Sequence, residues 1–415
     1  MGNENVQKIL GGKGALEGIR VVDWTQFMAG PSATKLLGAL GAEVIHIERL
    51  GFGDSMRGTS RWAGLDYTLP GGRNVQMEIF NRNKKGLALN LQHERGKEIM
   101  YRLVSKSDVF VTNYHRDRIN EFKLDYETLK KYNKRLIYAF ATLYGTKGPD
   151  IDTPGFDFLG QARSGITSIL GEEDGVPVPG PPNISDQITG VALSSGILVA
   201  LLARERLGIV QEVNVSQLGA MISIVEESAL GNVLFCGREQ EKFDRKNRRN
   251  PTSNCFKCKD GRWIFITMLF NEQMSLLCKM TGMPALAEDV RFSSISAREE
   301  NRHALIAILD DVFSTKTAAE WQEIARQHRA PLTIANKLID LESDPQVLAN
   351  DYIVEYDHPV LGRTKYAGYP FHLSETPVID TLPTPEVGQH TEEIMIDVCG
   401  YSWSDIQELQ NEGVI

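Results

Sequence analysis

The sequence predicts an α/β protein whose main body is Rossmann-like, and three observations predict it. β-prone runs and helical runs alternate through the first 142 residues, the signature of βαβ units. The composition, 42% hydrophobic and 24% charged over 415 residues, is that of an ordinary globular chain. After about residue 250 the pattern changes to a hairpin and short helices, which predicts a second, smaller α+β domain. Alternation of this kind gives a parallel sheet covered by helices, with right-handed crossovers.

Gly18–Trp24 reads as the first strand and Pro31–Leu40 as the helix behind it, Pro31 supplying its fixed φ at the helix start. Ala42–Glu48 returns as a strand. Strand Leu87–Leu91, helix Glu94–Ser105, strand Asp108–Thr112, helix Asp125–Tyr132 and strand Leu136–Thr142 repeat the unit. No GxGxxG or GxxxxGK[ST] sits at a strand-to-helix turn, so the usual nicotinamide and nucleoside-triphosphate fingerprints are missing. Residues 50–85 form a long Gly- and Arg-rich connection carrying Arg57, Arg61, Arg73 and Arg82, a length that suggests function inside a compact domain.

From Ser185 to Arg206 apolar residues recur at helical spacing among Gly190, Ala192, Ser194, Ser195 and Gly196, small residues that allow close packing. Ile209–Val215 reads as a further strand and Gln217–Phe235 as a further helix. The polar, basic stretch Glu241–Asn250 suits a domain boundary. Beyond it, Asp260-Gly261 between two β-prone runs predicts a hairpin, and Thr317 and Glu320 form a capping box at the start of an amphipathic helix, Ala318–Gln327. A tail rich in Pro and Gly ends in a helix at Trp403–Gln410.

Charge and residue counts exclude several classes of function. Lys+Arg 45 against Asp+Glu 54 gives a net charge of -9, which argues against a nucleic-acid partner. The most apolar run, Gly196–Ala203, is too short to span a bilayer, so a soluble cytoplasmic protein with no membrane partner is expected. Five cysteines are an odd and sparse set, expected as reduced thiols. Cys255 and Cys258 have C-x-x-C spacing, but no second pair follows and strand geometry turns the two thiols to opposite faces. The eight histidines are scattered without i, i+4 pairs, so no metal is expected, and no GxSxG elbow is present.

Carboxylate chemistry remains. Asp157 sits among apolar residues in Pro154-Gly-Phe-Asp-Phe-Leu159, where burial raises a pKa or demands a partner. Asp186, in Ile184-Ser-Asp-Gln187, opens the Gly/Ser-rich helix. An acid there is ordinarily a cap. The functional alternative is a nucleophile held ionised by the helix dipole and exposed backbone N–H groups, which could also stabilise an oxyanion on the substrate.

The motifs together resemble the class III CoA-transferases, the group that includes formyl-CoA:oxalate and carnitine CoA-transferases and shares its fold with α-methylacyl-CoA racemase. The matching stretches include Leu16-Glu-Gly-Ile-Arg-Val-Val-Asp23, Ala29-Gly-Pro31, Leu37-Gly-Ala-Leu-Gly-Ala-Glu-Val-Ile-His-Ile-Glu48, Asn81-Arg-Asn-Lys84, Gly155-Phe-Asp157, Asp344-Pro-Gln346, Gly388-Gln-His-Thr391 and Gly413-Val-Ile415. The resemblance implies a CoA-ester enzyme with coenzyme A as acyl-CoA co-substrate, and subunits interlocked as intertwined rings in a dimer. It implies a large Rossmann-like CoA-binding domain over residues 1–225, completed by 335–415, and a small domain over 226–334.

Carried over by position, Asp186 matches the family's catalytic aspartate, and the implied cycle runs through an aspartyl anhydride and an aspartyl-CoA thioester. Gln26, Phe27, Met28 and Ala29 match the loop that lines the pantetheine path and active site. Phe156 and Asp157 fall near the acyl group. Arg49 matches a CoA-contacting arginine and Leu89 a residue near the adenine. Two family cations are replaced, by Glu121 and Gln92, so the CoA phosphates are expected at Arg116, Arg118 or Lys123. In place of the oxalate-type glycine-rich loop stands Arg248-Arg-Asn-Pro-Thr-Ser-Asn254.

The expected partners are an acyl-CoA donor such as succinyl-CoA and a carboxylic acid acceptor. Phe27, Met28, Phe156 and Phe158 suggest an aromatic or branched, benzylsuccinate-like acceptor. The nearest rival is a 2-methylacyl-CoA racemase, which needs a histidine at the middle of Gly-x-Asp; here that residue is Phe156. A further alternative is a non-catalytic partner subunit, so the partner chain is either identical or a related homologue.

Overall fold

The computed structural model describes residues 14–62, 64–171, 175–380 and 382–415. Strands Arg20–Trp24 (β1), Glu43–Arg49 (β2), Lys85–Leu89 (β3), Val109–Thr112 (β4), Ile137–Thr142 (β5) and Glu212–Ser216 (β6) form one parallel sheet in the order β3-β2-β1-β4-β5-β6. This is the strand order of a doubly wound dinucleotide-binding fold, reached without its glycine fingerprint. In such sheets ligands bind beyond the carboxyl ends of the strands, where the order reverses. Here the reversal lies between β1 and β4, and the Asn113 carboxamide ties their two exits together, accepting from Gln26 N at 2.9 Å and donating to Gln26 O at 2.8 Å.

Neighbouring residues of each strand face opposite sides, and in β1 to β5 both sides are buried, while the edge strand β6 is partly exposed. Val22, Trp24, Ile45, Leu87, Phe110 and Tyr138 share one core with helix Glu94–Ser105. Val21, Val44, Val109, Ile137 and Ala139 share the other with helix Ala29–Ala39 (α1) and the long helix Ile184–Leu207. Continuous Val/Ile runs in β1, β2 and β4 follow from this double burial. The chain's last residues return to the first core: Ile406, Leu409, Val414 and Ile415 are buried in it, and Asn90 N donates to Val414 O at 2.8 Å.

The connection over 50–85 is more ordered than its composition suggests. It holds a 3₁₀ turn at Ser55–Gly58, capped by Asp54, and a helix at Val75–Asn81 capped by the Asn74 side chain. Short polar residues placed just before helix starts supplied both caps. The predicted helix Gln217–Phe235 is three pieces, an α-helix Gln217–Val225, a π turn Glu226–Leu230 and a helix Gly231–Cys236.

The chain divides into two compact units, one of residues 1–168, 178–240 and 351–415 and the other of 169–177 and 241–350. The division falls at 241 and 350, not at 226 and 334, because the helical run after Gln217 continues to Cys236 before Gly237 turns left-handed. In the second unit, strands Ser253–Lys257, Trp263–Thr267 and Leu332–Ile334 form an antiparallel sheet. The first two meet at the Asp260-Gly261 hairpin, and the Thr317–Glu320 capping box opens helix Ala318–His328. Both are as the turn and cap residues predict. Cys255 and Cys258 are buried, and among the described residues no group of His, Cys, Asp or Glu could hold a metal.

Candidate active site

Three connections at the carboxyl edge of the sheet build the site. Past β5 the chain enters helix Asp157–Arg163 (α2). Helix Ile184–Leu207 (α3) then crosses back to β6, and Gln217 is the first residue of helix Gln217–Val225 (α4) just beyond it. Three elements separated in sequence therefore deliver Asp157, Asp186 and Gln217 to one place.

By length and composition alone α3 could cross a membrane. It is the β5-to-β6 crossover instead, with Leu193, Ile197, Ala200 and Leu201 in the core and Asp186 and Arg204 buried at its two ends. Its small residues serve the packing. A Cβ on Gly190 would stand 2.4 Å from Ser32 Cβ and 3.2 Å from Ala29 O, so only glycine lets α1 and α3 approach this closely.

The two aspartates exchange the roles expected of them. Asn183 precedes α3 in the left-handed region, φ 68°, and its side chain caps nothing. The open helix end is capped from outside: Asp157 Oδ1 accepts from Ser185 N at 2.7 Å and from Asp186 N at 3.2 Å. Its Oδ2 accepts from Gln161 Nε2 at 2.6 Å, and Gln161 Oε1 in turn accepts from Gly180 N at 2.8 Å. Asp157 is buried, and these donors supply the partners that burial demanded.

Asp186 thus receives neither the backbone amides nor the favour of the helix end, which Asp157 occupies. The residue is 9% exposed, and among the described residues its side chain holds one hydrogen bond, from Gln217 Nε2 to Oδ1 at 2.6 Å. Burial, and then the neighbouring Asp157 carboxylate, push its pKa up to about 7. The expectation that the helix dipole holds Asp186 ionised is therefore corrected. The site instead keeps a desolvated carboxylate, weakly satisfied and poised near neutral pH, as a nucleophile or base requires.

Gly160 makes this contact possible. A Cβ there would lie 2.5 Å from Ser185 Oγ, 2.9 Å from Gln217 Cβ and 3.0 Å from Gln217 Oε1. Gly160→Ala is expected to displace the Gln217 amide, lowering kcat/KM at least about tenfold and stability by about 1–3 kcal/mol. Steady-state kinetics and thermal unfolding of the variant check both.

The exit of β1 supplies an apolar wall. Phe27, at φ 59°, meets Phe156 edge to face with centroids 5.3 Å apart. Phe156, Phe158 and Leu159 are about half exposed. Met28 is buried in a cluster with Met56, Met77 and Phe80, against which Phe27 also packs. Gln26 spends its backbone on Asn113, and Ala29 is buried against α3. Beneath the loop Asp23 is wholly buried, held by Lys84 Nζ at 2.8 Å, Thr34 Oγ1 at 2.7 Å and His46 Nδ1 at 3.1 Å.

The cation candidates differ among themselves. Arg49, the last residue of β2, is exposed and lies over the Phe52 ring. Leu89, carried over as a residue near the adenine, is 2% exposed in the core, so its side chain offers a ligand no surface. Helix Arg116–Phe122 follows β4 and carries the remainder. Arg116 is half-buried, its Nη2 donating to Thr146 O at 3.2 Å while its Nε is buried without a partner. Arg118 pairs with Glu121 at 2.7 Å, so the acid that replaces a family cation also neutralises its neighbour. Lys123 is an exposed left-handed C-cap.

Sequence reasoning missed Gln217 and Gln161. A polar residue opening a helix directly after a strand, at the carboxyl edge of a parallel sheet, was the available signal for Gln217.

Comparison with known proteins shows the family of the chain. The family CoA-transferase family III matches residues 16–391. The succinyl-CoA:glutarate CoA-transferase of Mus musculus is 34% identical, covering 96% of this chain and 90% of that one. The (R)-2-hydroxy-4-methylpentanoate CoA-transferase of Clostridioides difficile is 30% identical over 96% of this chain and 99% of its own. A CAIB/BAIF family protein from Brucella suis superposes with a TM-score of 0.81 at 26% identity, covering 93% of this chain and 100% of that one.

Proposed function

This chain belongs to CoA-transferase family III, and we propose that it moves CoA from an acyl-CoA donor to an aromatic or branched carboxylic acid through the carboxylate of Asp186. The carrying observation is the buried Asp186 itself, with Oδ1 pinned by Gln217 and its pKa pushed to about 7.

Asp186 Oδ2, which has no donor among the described residues, attacks the donor's acyl carbon; the C–S bond breaks, leaving an aspartyl anhydride and CoA thiolate. The thiolate attacks Cγ of Asp186 and expels the donor acid as its carboxylate, leaving an aspartyl-CoA thioester. The acceptor carboxylate then attacks Cγ, CoA thiolate departs, and its return to the acceptor's acyl carbon frees Asp186. Each step exchanges one acyl bond for another, so the thioester's energy is conserved and no other co-reactant is needed.

Phe27, Phe156 and Phe158 support the choice of acceptor, since an exposed apolar wall beside a desolvated carboxylate favours an acid with an apolar body. Succinyl-CoA is the proposed donor, after the mouse relative's name. Arg49 and Arg116 are the proposed phosphate contacts. The exposed face of α3, with Val191, Val199 and Leu202, supports burial against a second chain, identical or related, in the interlocked dimer that the family resemblance implies. The racemase reading lacks its base, because position 156 is a phenylalanine seated on Phe27.

CoA-transfer rates with succinyl-CoA and a panel of phenyllactate, benzylsuccinate, 2-hydroxy-4-methylpentanoate and glutarate test this reading. The apolar acids are expected to exceed glutarate in kcat/KM by at least about tenfold, the worth of a few buried methylenes. Preference for glutarate overturns the acceptor class, and α-proton exchange in a 2-methylacyl-CoA without CoA transfer overturns the reaction.

A further inference from the structure

We infer that Gln217 is a catalytic residue, the hydrogen-bond donor that receives the oxyanion each time Cγ of Asp186 is attacked. The inference rests on the covalent role of Asp186 and deepens it.

The geometry is specific. Gln217 is 7% exposed and opens α4 directly behind β6, where Ser216 caps the helix by accepting from Gly219 N at 2.9 Å. Its backbone is thereby fixed to the sheet edge. Its Nε2 lies 2.6 Å from Asp186 Oδ1, while its Oε1 is buried with no hydrogen-bond partner among the described residues. Gly160 leaves the gap into which the amide fits. Burying an unsatisfied carbonyl costs stability. A leucine or methionine would fill the same space without that cost. Among the described residues the amide's one hydrogen-bond partner is the reacting carboxylate.

The covalent cycle contains two attacks on Cγ. When CoA thiolate attacks the anhydride, the new C–S bond forms and the carbonyl electron pair moves onto Oδ1. Re-formation of the carbonyl breaks the bond to the bridging oxygen and releases the donor carboxylate. When the acceptor carboxylate attacks the thioester, a C–O bond forms, the pair again moves onto Oδ1, and CoA thiolate leaves. In both intermediates Oδ1 is a neutral carbonyl oxygen, and in both tetrahedral states it carries a full charge. A donor already in place at 2.6 Å therefore binds the tetrahedral state more tightly than the state before it, without reorganisation. The other two attacks occur at the substrate's acyl carbon and place no charge on Oδ1, so Gln217 acts on one half of the cycle.

The test compares Gln217→Met, which keeps length and removes the donor, with Gln217→His, which keeps a donor, alongside Asp186→Ala. Gln217→Met is expected to lower kcat about 10²-fold or more, the cost of one lost oxyanion donor. The KM for acyl-CoA should stay within about threefold, because ground-state binding is untouched. Hydroxylamine attack on the isolated aspartyl-CoA enzyme should slow by a similar factor, and Gln217→His should regain at least about tenfold in both rates. A Gln217→Met enzyme with unchanged kcat, or a loss confined to KM or not regained by histidine, overturns the role of Gln217 while an inactive Asp186→Ala keeps the covalent reading. An active Asp186→Ala overturns both.

Discussion

Asp186→Ala is expected to lower CoA transfer by at least about 10⁴-fold at pH 7.5, the scale seen when an enzyme loses its nucleophile. The substitution removes the atom that carries the acyl group, and the remaining machinery only brings two substrates together. Direct exchange between a thioester and a carboxylate has no route that avoids two unstabilised tetrahedral states, so proximity alone recovers little of the loss. Donor affinity should change little, because the proposed phosphate contacts, Arg49 and Arg116, are held by Phe52 and Thr146 and not by the carboxyl group. The wild-type rate should carry the same signature in its pH profile. Attack requires the ionised carboxylate, so with the pKa at about 7 the value of kcat/KM falls about tenfold per pH unit below that point. A profile flat from pH 5 to 8 contradicts the poised-carboxylate account.

Asp186→Asn is expected to be inactive and more stable than the wild type. The carboxyl pKa is 3.8 in an unstructured chain and about 7 in the fold, so the folded state binds the proton more tightly. Between those values the folded state holds more protons than the unfolded one, and stability falls as pH rises. Above pH 7 the full penalty applies, about 2–4 kcal/mol for a carboxyl displaced this far and this thoroughly buried. Asparagine has no charge to desolvate, and its carbonyl oxygen still accepts from Gln217. Its advantage should be largest at pH 8, shrink through pH 5 and vanish near pH 4, as denaturant titrations at the three values can measure. Such a gain identifies stored strain that function requires.

The sheet was legible because its first five strands are buried on both faces and its helices on one, so period and composition both announce them. Val21 and Val22 alone, pointing into opposite cores, show how little the first strand leaves to doubt. Asp186 was legible as a polar residue opening an otherwise apolar helix. Its electrostatics were not, because the group that caps α3 is Asp157, 29 residues earlier on another helix. Local sequence assigns a cap to the nearest acid, and here a tertiary contact overrides it. Gln217, 31 residues later, was hidden for the same reason. The burial of Leu89 was not legible from its place in a motif; it follows from a strand covered on both faces, with Leu87, Ala88 and Leu89 all buried.

The central claim, covalent passage through Asp186, is tested most directly by mixing the enzyme with succinyl-CoA, trapping with hydroxylamine and mapping the modified peptide by mass spectrometry. The account predicts a hydroxamate on Asp186, dependent on the donor and absent from Asp186→Ala. Transfer that proceeds with Asp186 unlabelled, or a label residing on another residue, would contradict it.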